Sequence, residues 1–273
     1  MGSNRLKIFE DSFDKIPPLS GYSIDAFDIK PLPGYTNLNF HLKNAAHDWV
    51  LRIPKRATNQ YLDRNAEAHN ANIAFDLGLA PNCLWRDANG FSLSDTIQNS
   101  RSLAASDFTN TAIVTKLVSS LQQLHCCTSK FHGSVDIEAL LTRYYQLMPK
   151  PEQSQLAERY HDARAKVKNA LQQHQRLVPS HNDLVLENIL FDDQRIWIID
   201  WEYASMASPY WDLATLCNAA NLNVDQAQRL LDKYQSEESK LELELLMDYR
   251  QILAVLSACW MAAFTNDGMT IKC

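Results

Sequence analysis

The sequence has 273 residues, of which 46% are hydrophobic and 21% charged, with a formal net charge of -6. This composition excludes a disordered or fibrous chain, and the length suits one large core or two lobes that share a cleft. The acidic balance and the lack of a basic patch argue against nucleic acid or an anionic membrane as partner, and only seven glycines disfavour a glycine-rich P-loop enzyme.

Leu6, Ile8, Phe9, Phe13 and Ile16 recur at helical spacing and predict an opening helix that ends before Pro17-Pro18. From Tyr22 the pattern becomes extended. Ile24 to Leu32, Leu38 to Leu42 and Trp49 to Ile53 read as three antiparallel strands, with Pro33-Gly34-Tyr35-Thr36-Asn37 as the first turn. A helix from about Tyr61 to Leu77 stops at Gly78, ahead of Pro81. Strands near Cys83 to Trp85 and Phe91 to Leu93, joined across Asp87 to Gly90, complete a five-stranded sheet. Asp95 to Ser102 reads as a connector.

Beyond the connector the chain turns helical. Phe108, Ala112, Ile113, Leu117, Leu121 and Leu124 mark an amphipathic helix that ends near His125, a packed helix-end residue in this reading. Ile137 to Met148 and Gln153 to Gln175 follow as helices. Leu190-Phe191 and Ile196 to Ile199 flank the turn Asp192 to Arg195 as a short hairpin, and Tyr210 to Ala220 and Leu241 to Phe264 are the last predicted helices.

The six cysteines, Cys83, Cys126, Cys127, Cys217, Cys259 and Cys273, follow no metal-ligand or disulfide spacing, so a reducing cytoplasm is the expected location. Asn4 to Lys15 is too charged for a signal peptide, and no window is apolar enough to span a bilayer.

The chemistry concentrates between Pro179 and Ala214. Asp183 is followed five positions later by Asn188, and the apolar run Ile196 to Ile199 delivers Asp200 at a strand end. Phosphoryl transfer needs a carboxylate beside the attacking hydroxyl, the role for Asp183, and hard oxygen ligands for Mg²⁺, the role for Asn188 and Asp200. The hairpin between Asn188 and Asp200 would turn both ligands into one cleft.

The phrases His181-Asn182-Asp183 with Asn188-Ile-Leu190, Ile198-Ile-Asp-Trp-Glu-Tyr-Ala204 and Asp212-Leu-Ala214 resemble the choline and ethanolamine kinase family. That family lies within the aminoglycoside-phosphotransferase-like small-molecule kinases. Bacterial choline kinases are the nearest in pattern, and thiamine kinases share the phrase from Ile199 to Ala204. Trp201-Glu202 stands where a protein kinase has Phe-Gly, and no A-P-E follows, which sets the chain apart from protein kinases.

The resemblance implies an α+β, bilobal, protein-kinase-like fold. Residues 1–98 would form a nucleotide-binding lobe, an antiparallel five-stranded sheet with one main helix. Residues 99–273 would form a mostly helical lobe for catalysis and substrate binding. ATP would lie under the turn with Gly34, Thr36 and Asn37, with Arg52 on its phosphates and paired to Glu67, and with adenine near Ile97 and Gln98. His181, by its place before Asp183, and Asp212, by the family pattern, would brace the catalytic loop.

A small amino alcohol, choline first, is the expected acceptor. A permanent cation is held by aromatic faces and diffuse negative charge, and Tyr203, Trp211, Trp260, Glu187 and Glu202 are the candidates. Thiamine, ethanolamine and aminoglycosides are the alternative acceptors, and a non-catalytic nucleotide-binding pseudokinase is the remaining alternative. An aminoglycoside pocket would call on carboxylates such as Glu242, Glu244 and Asp248.

Overall fold

The structure, a computed structural model, describes residues 2–34, 36–55, 62–173, 176–235 and 240–264. Tyr35, Tyr61, Gln175 and Cys273, named in the sequence reading, lie outside the described residues. The fold is α+β, with a five-stranded antiparallel sheet followed by a mostly helical half.

Helix α1 (Gly2–Phe13) buries Phe9 and Phe13, and the Phe9 ring lies 4.8 Å from that of Phe40 in the sheet. The sheet comprises β1 (Asp28–Leu32), β2 (Asn37–Lys43), β3 (Asp48–Pro54), β4 (Cys83–Arg86) and β5 (Ser92–Asp95), in the order β1-β2-β3-β5-β4. Strand periodicity sorts its faces: Leu38, Phe40 and Leu42 of β2 and Leu51 and Ile53 of β3 point into the core. Arg52, between two inward residues, therefore faces the other way, opposite Asn39 on β2 and Ser92 on β5. The first strand is shorter than the sequence suggested, because Ile24–Ala26 closes a 3-10 turn that interrupts the extended run.

Helix α2 (Arg64–Asp76) starts where Asp63 accepts the N–H groups of Asn65 and Ala66, both at 3.0 Å, and it stops at Gly78, whose φ of +71° suits a helix-ending glycine. Its buried alanines, Ala71 and Ala74, and the following Leu79 and Ala80 join the core of the helical half. The sheet packs a separate core built on Phe9, Phe13, Phe40, Leu51 and Leu93.

The connector ends in β6 (Arg101–Ser102), which pairs with Leu190 and Phe191 and was not foreseen. Next come α3 (Thr111–His125), capped by Asn110, then α4 (Ile137–Leu147) and α5 (Lys150–Gln173). Phe108 falls in the 3-10 turn before α3. The hairpin β8 (Ile189–Phe191) and β9 (Ile196–Ile198) forms as expected. Asp192 folds its turn by accepting the N–H groups of Gln194 and Arg195.

Two short strands missed in the sequence, β7 (Val178–Ser180) and β10 (Ser205–Ala207), pair with each other on either side of that hairpin in the chain. Helix α6 (Pro209–Ala219) follows. Helix α7 (Val224–Tyr234), also missed, starts on a capping box formed by Asn223 and Gln226. Helix α8 (Leu243–Phe264) closes the described chain and packs on α4, α5 and α6. Among the described residues no helix is long and apolar enough to cross a membrane, and Cys83, Cys126, Cys127, Cys217 and Cys259 are free thiols.

Candidate active site

Strand β7 leads directly into His181-Asn182-Asp183, and a buried carboxylate fixes the loop. Asp212 of α6 accepts the backbone N–H groups of His181 at 2.9 Å and Asn182 at 2.8 Å, and it also meets His125 Nε2 at 3.0 Å. Burial pushes this carboxyl up, but the hydrogen bond from His125 and the nearby histidines outweigh it and hold the pKa below the usual range. His125 Nδ1 in turn lies 2.6 Å from the Tyr234 hydroxyl, so His125 joins α3, α6 and α7 and does not face the cleft.

The His181 ring accepts the N–H of Asp183 at Nδ1 and donates from Nε2 to the Ile199 carbonyl at 3.0 Å. Burial pushes its pKa below 6.5, which keeps the ring neutral and its tautomer fixed. The ring thus ties the loop of Asp183 to the strand end that carries Asp200.

Asn188 sits in a 3-10 turn below Asp183. Its Nδ2 donates to the Asp183 carbonyl at 2.9 Å and to Asp183 Oδ2 at 3.2 Å. Burial, followed by the negative charge of Glu202, raises the Asp183 carboxyl to about 7. Asp200 holds a left-handed backbone conformation, φ +65°, which turns its side chain back toward β3. Burial and Glu202 raise its pKa as well, against the attraction of Arg52.

Arg52 is the cation at this junction. Its Nη2 lies 2.5 Å from Glu67 Oε1 and its Nη1 lies 3.3 Å from Asp200 Oδ1, while Nε and Nη2 donate to the Gly90 carbonyl at 3.2 and 3.1 Å. The Glu67 side chain is 1% exposed and its other oxygen pairs with Arg64 at 2.5 Å. Strand β3, helix α2 and the loop after β9 therefore converge through charge-assisted contacts.

The structure brings Asp183, Asn188, Asp200, Arg52, Glu67, His181 and Asp212 into one constellation. Three other candidates are placed differently from the sequence reading. Glu202 was expected to face substrate. The 3-10 turn Trp201–Tyr203 instead points it inward, where Oε2 takes Asn37 Nδ2 at 3.1 Å and Arg64 at 3.3 Å. Asn37 was expected on the phosphate turn, but its amide is buried on Glu202 and Thr36 Oγ1. Trp211 was expected to form a cage wall. It is buried, and its indole N–H donates to the Asn182 carbonyl at 2.9 Å, so it props the loop from behind.

Gly34 is sterically required in the turn, because a Cβ there would lie 2.6 Å from the Asn37 carbonyl oxygen. Glu187 is exposed at the rim. Ile97 and Gln98 line a cavity of about 380 Å³ together with Pro81, Arg195 and Trp197. None of Arg52, Asp183, Asn188 or Asp200 lines that cavity, so it is not the carboxylate cleft.

Burial, followed by the negative charge of Glu202, raises the pKa of Tyr203 far above the usual value, with smaller effects from Tyr144, Asp183 and Asp200. Tyr144 meets the Phe264 ring edge-on at 5.8 Å, and Trp260 lies 5.7 Å from the same ring. Trp260 thus forms one aromatic group with Tyr144 and Phe264, which sequence reading missed because helical periodicity alone marks Tyr144 and Phe264 as core. Arg64 and Gly90 were missed too. A Cβ at Gly90, where φ is +90°, would run into the Arg64 guanidinium.

Among the described residues no three His, Cys, Asp or Glu side chains form a metal cage by themselves. An amide oxygen and a carboxylate at Asn188 and Asp200 fit a hard cation that takes its remaining ligands from water and phosphate. Buried oxygens without hydrogen-bond partners at Asn37 Oδ1 and Glu202 Oε1 add acceptor character to the same region.

The model of a family described as "Phosphotransferase enzyme family" matches residues 28–243. Protein LicA of Haemophilus influenzae is 29% identical over 211 residues, which cover 76% of this chain and 62% of that protein, less than two thirds of its length. The choline kinase LicA of Streptococcus pneumoniae superposes with a TM-score of 0.85 at 21% identity, over 99% of this chain and 94% of that one. A LicA solved in complex with AMP superposes with a TM-score of 0.84 at 22% identity, covering 96% and 92%.

Proposed function

The chain belongs to the phosphotransferase enzyme family, and from that premise we propose that it is a small-molecule kinase that moves the γ-phosphate of ATP to the hydroxyl of a small amino alcohol, choline first. The observation that carries the proposal is the meeting of Asp183, Asn188 and Asp200 with the Arg52–Glu67 pair in one cleft. The LicA solved in complex with AMP supports nucleotide binding by this fold. In this reading residues 1–98 supply the nucleotide site, and 99–273 supply the base and the acceptor pocket.

Asp183 orients the acceptor hydroxyl for in-line attack and takes its proton. It need not be a strong base, because in a loose transition state the proton can leave late. Because the transition state of such transfers is loose, most of the work is positioning and charge, and Arg52, held from two sides, sets a guanidinium fork against the phosphates. Asn188 and Asp200 would hold Mg²⁺, which supplies positive charge to the phosphate oxygens. His181 and Asp212 keep the loop of Asp183 in register, and Gly34 and Thr36 form the turn that covers the phosphates.

Tyr203, Tyr144, Trp260 and Phe264 suit a quaternary ammonium head, which has no N–H to donate and is held by aromatic faces. The carboxylates that an aminoglycoside would need are not gathered there: Asp248 pairs with Lys166 at 2.7 Å, and Glu242 and Glu244 are exposed on α8 and the turn before it. The test is ADP release with ATP and Mg²⁺ against choline, ethanolamine, thiamine and an aminoglycoside, run beside Asp183→Asn. We expect turnover on choline and a loss of about 10²-fold or more in kcat for Asp183→Asn, with ATP affinity within about threefold. Turnover confined to another acceptor would refute choline, and near-normal turnover in Asp183→Asn would remove the base assignment.

A further inference from the structure

Helix α2 carries Glu67, and one turn later the same helix is fastened to the helical half of the molecule. Asn70 is fully buried. Its Nδ2 donates to the carbonyls of His132 at 3.1 Å and Ala204 at 2.7 Å, and its Oδ1 accepts the His132 N–H at 2.8 Å. Both amide hydrogens and the amide oxygen are thus taken up by backbone from two segments far apart in sequence. Asparagine is a poor residue for a helix interior, so helix formation does not account for it.

The surroundings extend the joint. Ala71 and Ala74 are buried in the core of the helical half, His69 stacks on His132 with ring centroids 3.6 Å apart, and Arg64 reaches Glu202. Ala204 is the last residue before β10. Strand β10 pairs with β7, and β7 leads into His181-Asn182-Asp183. The segment at His132 joins the same strand, since Met206 donates to the Gly133 carbonyl at 3.0 Å and Val135 to the Met206 carbonyl at 3.1 Å. Backbone hydrogen bonds therefore lead from Asn70 to both loops of the cleft.

We propose that Asn70 is a positioning residue: it sets α2, and through Glu67 the Arg52 guanidinium, at a fixed place relative to Asp183 and Asp200. The cleft is then assembled without a separate swing of the helix. This rests on the nucleotide reading above, and one arm of the test separates the two.

Asn70→Asp keeps the size of the side chain but replaces the two N–H donors with an acceptor facing the His132 and Ala204 carbonyls. Asn70→Ala removes the contacts without that repulsion. Affinities for ATP and AMP would be measured on the wild-type protein and both variants, together with kcat and the acceptor KM. Because Arg52 serves the outer phosphates, we expect each folded variant to lose about tenfold in kcat and about fivefold in ATP affinity, with AMP affinity and acceptor KM within about twofold.

Equal weakening of ATP and AMP, or an unchanged kcat in a folded variant, would overturn the proposal, because a merely structural residue gives one of those results. A wild-type protein that binds no ATP overturns the nucleotide reading itself. If neither variant folds, amide exchange on the unmodified protein decides. Residues 64–76 should exchange as slowly as 205–207, and independent fast opening of the helix would refute the clamp.

Discussion

Glu67→Gln tests the charge network at its centre. The substitution keeps shape and one carbonyl acceptor but removes the charge that Arg52 and Arg64 share, and the Glu67 side chain is only 1% exposed. Breaking a buried ion pair by neutralising one partner costs roughly 3–5 kcal/mol. Each arginine keeps a second carboxylate at 3.3 Å, Asp200 for Arg52 and Glu202 for Arg64, so the lower end applies, about 3 kcal/mol. At the usual unfolding entropy per residue this corresponds to a fall in Tm of about 5 °C for a chain of this size.

Differential scanning calorimetry at neutral pH reads the shift, and 0.5 M salt should not reproduce it in the wild type, since burial shields the pair from screening. The pH dependence has a definite sign. Burial raises the Glu67 carboxyl, but Arg52 and Arg64 outweigh that and bring it below its ordinary 4.5. The wild-type advantage is therefore full above about pH 4.5 and is lost as the pH falls through the lowered value. A Glu67→Gln protein that melts within a degree of wild type, with unchanged ATP affinity, would refute the reasoning.

Gly90→Ala should lower Tm by several degrees and weaken ATP binding, because the new Cβ meets the Arg64 guanidinium at a backbone φ of +90°; calorimetry and an ATP titration check both. Because burial keeps His181 neutral and below 6.5, the unfolded chain takes up a proton there that the folded chain refuses. Stability should therefore drop as the pH falls below about 6.5, and His181→Gln should flatten that part of a stability–pH profile measured by urea unfolding. Trp260→Leu and Tyr144→Leu should each raise the choline KM about tenfold while leaving the ATP KM within about twofold, read by steady-state kinetics.

The sequence made the linear part of the site readable. A hairpin between Asn188 and Asp200 follows from two apolar runs and a turn, and the five strands of the sheet follow from extended runs parted by turn residues, but not the entry of β5 between β3 and β4. Arg52 could be placed off the core face because it lies between Leu51 and Ile53. Orientation within irregular segments was less legible. Glu202 and Tyr203 read as substrate candidates beside Asp200, yet a 3-10 turn after a left-handed Asp200 points Glu202 into the protein. Trp211 carries no sign that its indole would find the Asn182 carbonyl. Asn70, Arg64 and Gly90 act across long sequence separations, and Tyr144 lies on a helix whose periodicity marks it as packing. Strands of two or three residues such as β6, β7 and β10 fall below the length at which alternation can be recognised.

Asn182 and Asp200 share an uncommon trait, φ values of +66° and +65°. Branched or bulky side chains are strained in that conformation, and glycine, asparagine and aspartate tolerate it best. A library that randomises the cleft would return few survivors at these two positions for folding reasons alone. Depletion at 182 should therefore not be taken as a sign of chemistry, and at 200 the effect of the reaction emerges only when Asp200→Asn and Asp200→Gly, both compatible with the backbone, are compared with each other.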